Sequence, residues 1–303
     1  MRYVIFDLDL TLADITSFYF FLLSFHIKDF VLASSPSMFS FFPEELHTRL
    51  QKAYRLFVER VAMEEASENP LGLLRPGVLA IMQDLAVLYR KKKVKQVLIY
   101  SNNRYLPSLQ FVRDVIHYVI NTNLITECIH WYHPMRENDK IDVNYSKTWD
   151  TMQSMCVQGS EMDPKQVYFF DDQLHVQLQY VLKENYYQVP AYHCTVPFDR
   201  IKGIYQSVLR EAQVNVSSLM IYMMEVMEAE SQTFPFYPHG NSIHDLMNII
   251  ENLSKGTPWP NSSSERDEGY YMMKDVMKEI NKQLTPKRPK RHTIRQRRYT
   301  IKR

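Results

Sequence analysis

Two carboxylates, Asp7 and Asp9, stand two residues apart directly after the apolar run Tyr3-Val4-Ile5-Phe6, and Thr11 follows them. The run is short, β-branched and aromatic, which is the composition of a buried strand. Strands of an open α/β sheet bind ligands at their C-terminal edge. Carboxylates buried there without a partner are costly, so their placement implies a metal ion or a task in catalysis. Further polar residues stand in similar places. Ser101 and Asn102 follow the apolar run Val94 to Tyr100, and Asp171-Asp172 follows Val167-Tyr168-Phe169-Phe170. Between these two runs, Lys147 stands at the expected start of a helix. One acid pair after one strand is an ordinary capped turn, but four such signals in order are not.

The elements that must carry these residues alternate. Strands are expected at Tyr3–Phe6, Val94–Tyr100, Ile125–Tyr132 and Val167–Phe170, and a further one at Val189–His193. Helices are expected over 15–32, 44–66, 78–90, 106–121 and from Lys147 to about Val157. Ser146 suits the N-cap of that last helix. Leu46, Leu50, Tyr54, Phe57 and Val61 recur every three or four residues, giving 44–66 one apolar face. Pro43 with Glu44 and Glu45 suits its start. Alternating strands and helices predict a parallel sheet covered on both faces. The fold class is therefore α/β, Rossmann-like. Beyond residue 200 the pattern is helical, at 198–212, 216–231, 241–254 and 267–284, with a loop over 257–266.

A chain of 303 residues, 45% hydrophobic and 23% charged, can bury a full core. Cys128, Cys156 and Cys194 are too few for a disulfide framework, which points to a reducing compartment. No signal peptide is expected, because the first strand begins at once. The apolar run from Ser17 to Leu32 is broken by His26, Lys28 and Asp29, so no membrane span is expected. Charge is uneven. Residues 285–303 hold nine Lys or Arg and no acid, which leaves 27 basic against 34 acidic residues over 1–284, a net of −7. An acidic body with a basic tail is expected. Pro286 and Pro289 argue against a helix in the tail.

Asp7-x-Asp9-x-Thr11, Ser101, Lys147 and Asp171-Asp172, in that order and at strand ends, resemble the haloacid dehalogenase-like hydrolase superfamily, specifically its aspartate-nucleophile phosphatases. The resemblance covers roughly residues 1–195. It implies a phosphatase core at 1–14 and 70–198, a helical cap insert at 15–69, a C-terminal helical region at 199–284 and the tail at 285–303. It also implies roles. Asp7 attacks phosphorus and forms an aspartyl-phosphate, and Asp9 serves as acid and then base. Thr11, Ser101, Asn102 and Lys147 serve the phosphoryl group. Mg2+ is the implied cofactor, held by Asp7, the Asp9 carbonyl, Asp171 and Asp172. Lys140 is a rival to Lys147 but does not sit at a helix start. Thr11 also suits a loop-ordering role. Leu10 departs from the pattern, where relatives commonly have Gly or Glu, and this alters what enters the pocket.

Arg75-Pro76-Gly77, Ile99 to Asn103 and Phe170-Asp171-Asp172 look like the branch that acts on phosphoproteins, such as the phosphatases of the RNA polymerase tail. Within it, Leu74 to Gly77, Ile99 to Asn103 and His130-Trp131-Tyr132-His133-Pro134 are most similar to the thirty-eight-kilodalton nucleocapsid-assembly phosphatases of baculoviruses and nudiviruses. That implies a phosphoprotein substrate that is Arg-rich and condenses DNA. It also implies residence in the host nucleus or virion nucleocapsid, the cytoplasm being the alternative. The basic tail would contact nucleic acid or nucleocapsid. The insert, with its aromatic helix from Phe18 to Phe25, would be a lid or a homodimer interface. Two other readings stand beside this one: a phosphatase of small molecules or nucleic-acid ends, and a structural nucleocapsid protein with an idle pocket.

Three further patterns are weaker. His193-Cys194 with Arg200 fits His-Cys-x5-Arg of cysteine-dependent phosphatases, but Pro197 removes a backbone donor, Asp199 repels phosphate and no Gly supplies the turn. His130 and His133 lack a third metal ligand. Met220, Met223, Met224 and Met227 fall at helical spacing and suit packing.

Overall fold

Alternation along β1 (Arg2–Phe6) divides its side chains between two cores. Val4 and Phe6 face one, and Tyr3 and Ile5 the other. The same division holds in β2 (Val94–Tyr100), where Val97 and Ile99 oppose Leu98 and Tyr100. It holds again in β4 (Val167–Asp171), where Tyr168 and Phe170 oppose Val167 and Phe169. Such a sheet is buried on both faces, which is why its strands read as continuous apolar runs. With β3 (Ile125–Ile129) and β5 (Tyr186–Gln188) they form five strands in the order β3-β2-β1-β4-β5, all neighbours parallel. The protein is thus α/β with an all-parallel central sheet. This computed structural model describes residues 2–34, 41–136, 147–156, 162–194 and 197–230, together with 271, 273–275 and 278.

One face carries most of the helices. They are α1 (Tyr19–Phe25), α2 (Ile27–Ser34), α3 (Glu44–Glu65), α4 (Val78–Arg90), α5 (Leu106–Ile120), α8 (Phe198–Glu211) and α9 (Val216–Glu230). The other face is covered by α6 (Trp149–Cys156) and α7 (Val176–Leu182), through Met152, Met155, Leu178 and Leu182. An aromatic ladder crosses the sheet. Phe6 stacks on Phe170 at 5.0 Å between centroids, and Phe170 on Tyr187 at 5.0 Å.

The helices that follow β1 are built into the larger core. Phe57 of α3 lies 5.6 Å from Phe111 of α5 and 5.2 Å from Phe25 of α1. Tyr205 of α8 packs 4.9 Å from Phe21 and donates to Ser24 Oγ at 2.8 Å. Ion pairs Arg60–Glu211 and Arg200–Glu64 tie α3 to α8.

Several boundaries differ from those expected. The helix over 15–32 is a 3-10 turn at Thr16–Phe18, then α1, then α2, because His26 leaves helical backbone with ψ near 18°. The strand at 125–132 stops at Ile129, and Trp131 N–H turns to Asn103 O at 2.9 Å. The fifth strand lies at 186–188 rather than 189–193. Pro190 lacks a donor, and the segment spends its bonds on the loops beside it: Val189 N–H on Asp171 O at 2.8 Å, and Tyr192 N–H on Leu10 O at 2.7 Å. The helix expected from Lys147 starts at Trp149, with Thr148 Oγ1 accepting Thr151 N–H at 3.3 Å. Ser146, Lys140, the helix expected at 241–254, the loop at 257–266, the tail at 285–303 and most of the helix expected at 267–284 lie outside the described residues. Met223 is buried in the larger core, whereas the side chains of Met224 and Met227 lie outside the described set. Among the described residues no helix is long and apolar enough to cross a membrane.

One buried cation organises the turn after β1. Arg75 Nε donates to Thr11 O at 2.7 Å, its Nη2 to Leu10 O at 2.7 Å, and Nη2 also to Pro190 O. Leu10 itself is left-handed, with φ +60°, a conformation that costs an L-residue about 1–2 kcal/mol. A Gly at this place would adopt the same backbone without that cost. Burial lowers the Arg75 pKa to about 10. Arg75→Met keeps the volume but strands three carbonyls, and is expected to cost about 3 kcal/mol. Denaturant unfolding of the variant measures this. A loss below about 1 kcal/mol would show that the turn holds itself.

Candidate active site

The order β3-β2-β1-β4-β5 reverses its direction of growth between β1 and β4. At such a point the connections leave to opposite faces and open a crevice at the strands' C-terminal ends. Asp7 N–H extends the ladder to Phe170 O at 2.8 Å. The β1 and β4 carboxylates therefore meet across one strand spacing. Asp7, Asp171 and Asp172 each offer an oxygen within 4.8 Å of the others.

Lys147 enters this group from the lead-in to α6. Its Nζ lies 2.5 Å from Asp7 Oδ1 and 2.6 Å from Asp171 Oδ2, buried over the rings of Tyr100 and Phe169. Ahead of the helix, the Lys147 N–H donates to His175 Nδ1 at 3.2 Å.

Charge decides the protonation pattern. Burial pushes the Asp7 carboxyl well above the usual carboxylate range, with Lys147 opposing and Asp171 and Asp9 adding to it. Burial acts on Asp171 in the same direction, but Lys147 and His175 outweigh it and hold that carboxyl low. Burial also raises Asp172, helped by Asp171. For Lys147, burial alone would lower the pKa, yet Asp171 and Asp7 hold it up.

Asp9 has other partners. Its carboxylate accepts Asn103 Nδ2 at 3.0 and 3.2 Å and Ser101 Oγ at 3.3 Å. Burial raises its pKa to about 6, against the pull of those two donors. Such a group holds or releases a proton near neutral pH. Asn103 Nδ2 also reaches Tyr19 OH at 2.5 Å, so α1 contributes to this corner.

The remaining expected residues take identifiable places. Thr11 Oγ1 accepts Asp172 N–H at 2.9 Å and donates to Asp172 Oδ1 at 3.2 Å, which fixes the turn after β4. Ser101 is buried beside Asp9. Asn102 Oδ1 accepts Arg136 Nη2 at 2.7 Å, while Arg136 Nη1 donates to Ser101 O at 2.6 Å. Arg136 is fully buried between the rings of Tyr100 and Trp131. Among the weaker patterns, Arg200 pairs with Glu64, and Cys194 N–H donates to Asp14 Oδ2 at 3.1 Å. His133 Nε2 lies 3.6 Å from Glu127 Oε1.

Comparison with protein-family models, with curated proteins and with solved structures gave no match.

Asp7, Asp171 and Asp172 could together hold a metal ion, and carboxylate oxygens of this kind would suit a hard divalent cation such as Mg2+.

Sequence reasoning missed His175, Asn103 and Tyr19. His175 stands four residues after Asp171, and that spacing was the available signal. Its Nδ1 accepts from Lys147 N–H, which leaves Nε2 as the nitrogen facing Asp171. That atom lies 3.2 Å from Asp171 Oδ2, without the alignment of a hydrogen bond. The ring thus ties the lysine backbone to the Asp171 carboxylate. His175→Ala is expected to lower turnover about 10–100-fold, the usual range for a residue that orients a metal ligand. Steady-state kinetics on the purified variant measures this, with His175→Gln recovering part of the loss.

Proposed function

We propose that the protein is a Mg2+-dependent phosphatase that works through an aspartyl-phosphate on Asp7. The observation that carries this reading is the convergence of Asp7, Asp171, Asp172 and Lys147 at the switch point between β1 and β4. Lys147 fixes one Asp7 oxygen, which leaves the other to attack phosphorus. The phosphorus–leaving-oxygen bond breaks, and Asp9 gives its proton to that oxygen. Water then attacks the phosphorus, Asp9 takes its proton, and inorganic phosphate departs with the Asp7 carboxylate restored. Ser101, close beside Asp9, is placed to donate to a phosphoryl oxygen. Mg2+ bound by Asp7, Asp171 and Asp172 would supply positive charge against the phosphate dianion.

The substrate reading rests on packing and charge. The helices at 16–65 are tied to α5 and α8 by ring contacts and ion pairs. A cap held in this way favours substrates presented from outside over small molecules enclosed by closure. A body of net −7 over 1–284 attracts a basic partner. Phosphorylation adds about −1.5 to −2 charges per site, so its removal restores the cationic character that DNA condensation requires. Taken with the resemblance of the motifs, this makes an Arg-rich DNA-packaging phosphoprotein in viral nucleocapsid assembly the proposed substrate, and the nucleus or nucleocapsid the proposed place of action.

The test compares a phosphoserine peptide rich in Arg, a sugar phosphate and a 3′-phosphorylated oligonucleotide, with Mg2+ and with EDTA. The peptide is expected to be preferred and EDTA to abolish turnover. Equal rates on the sugar phosphate would refute the protein-substrate reading. A readout independent of activity is thermal unfolding. Mg2+ at about a hundred times its Kd should stabilise the fold by about 2.7 kcal/mol, and Asp171→Asn should remove that gain.

A further inference from the structure

Parallel strands place all their N-termini on one edge, opposite the carboxylates. On this edge Arg90-Lys91-Lys92-Lys93 leads into β2, Lys95 lies within it, Arg2 opens β1, and Lys165 precedes β4. The backbone sets them side by side. Arg2 N–H donates to Lys93 O at 3.2 Å, and Arg2 Nη1 to Lys165 O at 2.6 Å. Neighbouring strands lie about 4.8 Å apart, so the β2, β1 and β4 starts form a row about 10 Å long.

Several cations elsewhere on this molecule have acidic partners. Arg60 pairs with Glu211, Arg200 with Glu64, Lys28 with Glu44 and Arg49 with Glu45. Among the described residues, no ion pair engages Lys91, Lys92, Lys93, Lys95 or Lys165. Lys95 Nζ instead reaches Tyr3 OH at 2.9 Å. The acids nearby are Asp163, which accepts Lys165 N–H at 2.9 Å, and Glu184, which adjoins Lys183. Positive charge at Lys91, Lys92, Lys93, Lys95 and Lys165 is therefore left without an acidic partner among the described residues, along the row that the strand starts set. A polyanion is steered to an edge of this kind.

We propose that the N-terminal edge of the sheet is a binding surface for the phosphate backbone of a nucleic-acid duplex. Recognition is of charge and is independent of base sequence, because a line of cations matches a line of phosphates. The surface does not depend on the reading of the acidic site. It would let the protein rest on nucleic acid with its carboxylates facing outward.

The test uses the full chain and a labelled DNA duplex of about 25 base pairs, with anisotropy titrations from low to high salt. The triple variant Lys91→Gln/Lys92→Gln/Lys165→Gln removes three edge cations. A control variant, Lys52→Gln/Lys202→Gln/Arg210→Gln, removes the same charge from α3 and α8. Each lost phosphate contact lowers the slope of log K against log salt by about 0.9, so the edge variant should lose about 2 to 3 from that slope. Its affinity at low salt should drop at least about tenfold. The control should keep the wild-type slope. Equal slopes for wild type and the edge variant would overturn the proposal, and so would an equal loss in the control. Binding of the edge to phosphatidylserine vesicles but not to the duplex would overturn it as well, in favour of a membrane surface.

Discussion

Replacing Asp7 by Asn is expected to reduce hydrolysis of an aryl phosphate at least about 10^4-fold while leaving the fold at least as stable as before. The two halves of this result have one cause. Asp7 is buried among other acids, and its carboxyl is pushed well above the ordinary range. A group whose native pKa is raised opposes folding in its charged form, so its neutral isostere relieves the native state. A residue kept for structure would not be placed so. Thermal unfolding without metal, set beside turnover with Mg2+, separates the two effects. Lost turnover with an unchanged or higher midpoint supports the nucleophile. Wild-type turnover would end that assignment. Asp9 behaves in the same direction with a different readout. Its native pKa of about 6 exceeds the usual 3.8. Its contribution to stability is complete below the unfolded value and is lost as pH rises through about 6. Asp9→Asn should flatten that part of the stability profile, and should lower turnover about 10^2–10^4-fold.

The sheet was legible because both of its faces are buried. Val4 to Phe6, Val97 to Tyr100 and Val167 to Phe170 are unbroken apolar runs, and only a doubly covered strand reads so. The carboxylates were legible for a related reason, since Asp7 and Asp171 end such runs. The short β5 was misplaced because Tyr186-Tyr187-Gln188 carries one buried residue in three, while Val189 to His193 is more apolar. Composition does not reveal that Val189 and Tyr192 bond to loop carbonyls instead of to a strand. The support of the site was hidden more deeply. Arg75 and Arg136 are fully buried cations whose partners are carbonyl oxygens and rings. Neither residue type announces this, because an arginine in sequence reads as surface. His175 and Asn103 act across distances of 28 and 94 residues, and one sequence holds no trace of such pairing. The helices after β1 were expected as a discrete insert. Their amphipathic faces were correct, but the acceptor of those faces, Tyr205 and the rest of α8, lies more than a hundred residues away.

Removal of the Lys147 charge should produce the largest loss of stability of any single change at the site. The ammonium is buried and bonds Asp7 and Asp171 at once. In Lys147→Met the volume is nearly kept, but Asp7 and Asp171 lose the ammonium that bonds them. Breaking a buried pair from one side costs about 3–5 kcal/mol. The pH dependence gives the cause. In the wild type Asp171 is held below its ordinary value, so it contributes stability above an unfolded pKa of about 3.9 and loses it as pH falls through the lower native value. Without Lys147, burial dominates all three acids and the sign reverses. Their stability is then greatest when protonated and is lost as pH rises from about 4 towards 7. The gap between variant and wild type should therefore be widest near pH 7 and narrow towards pH 4.5. Urea unfolding at those two pH values measures it. A gap of the same size at both would mean that lost packing, not charge, is the cause. Adding Asp7→Asn to Lys147→Met should recover part of the loss at pH 7, since one fewer acid then needs a counter-charge. Mg2+ should recover part of it by the same logic, because it brings positive charge to the same oxygens. A lysine that bonds two acids at once, and that fixes one oxygen of the proposed nucleophile, links the stability of this fold to the chemistry proposed for it.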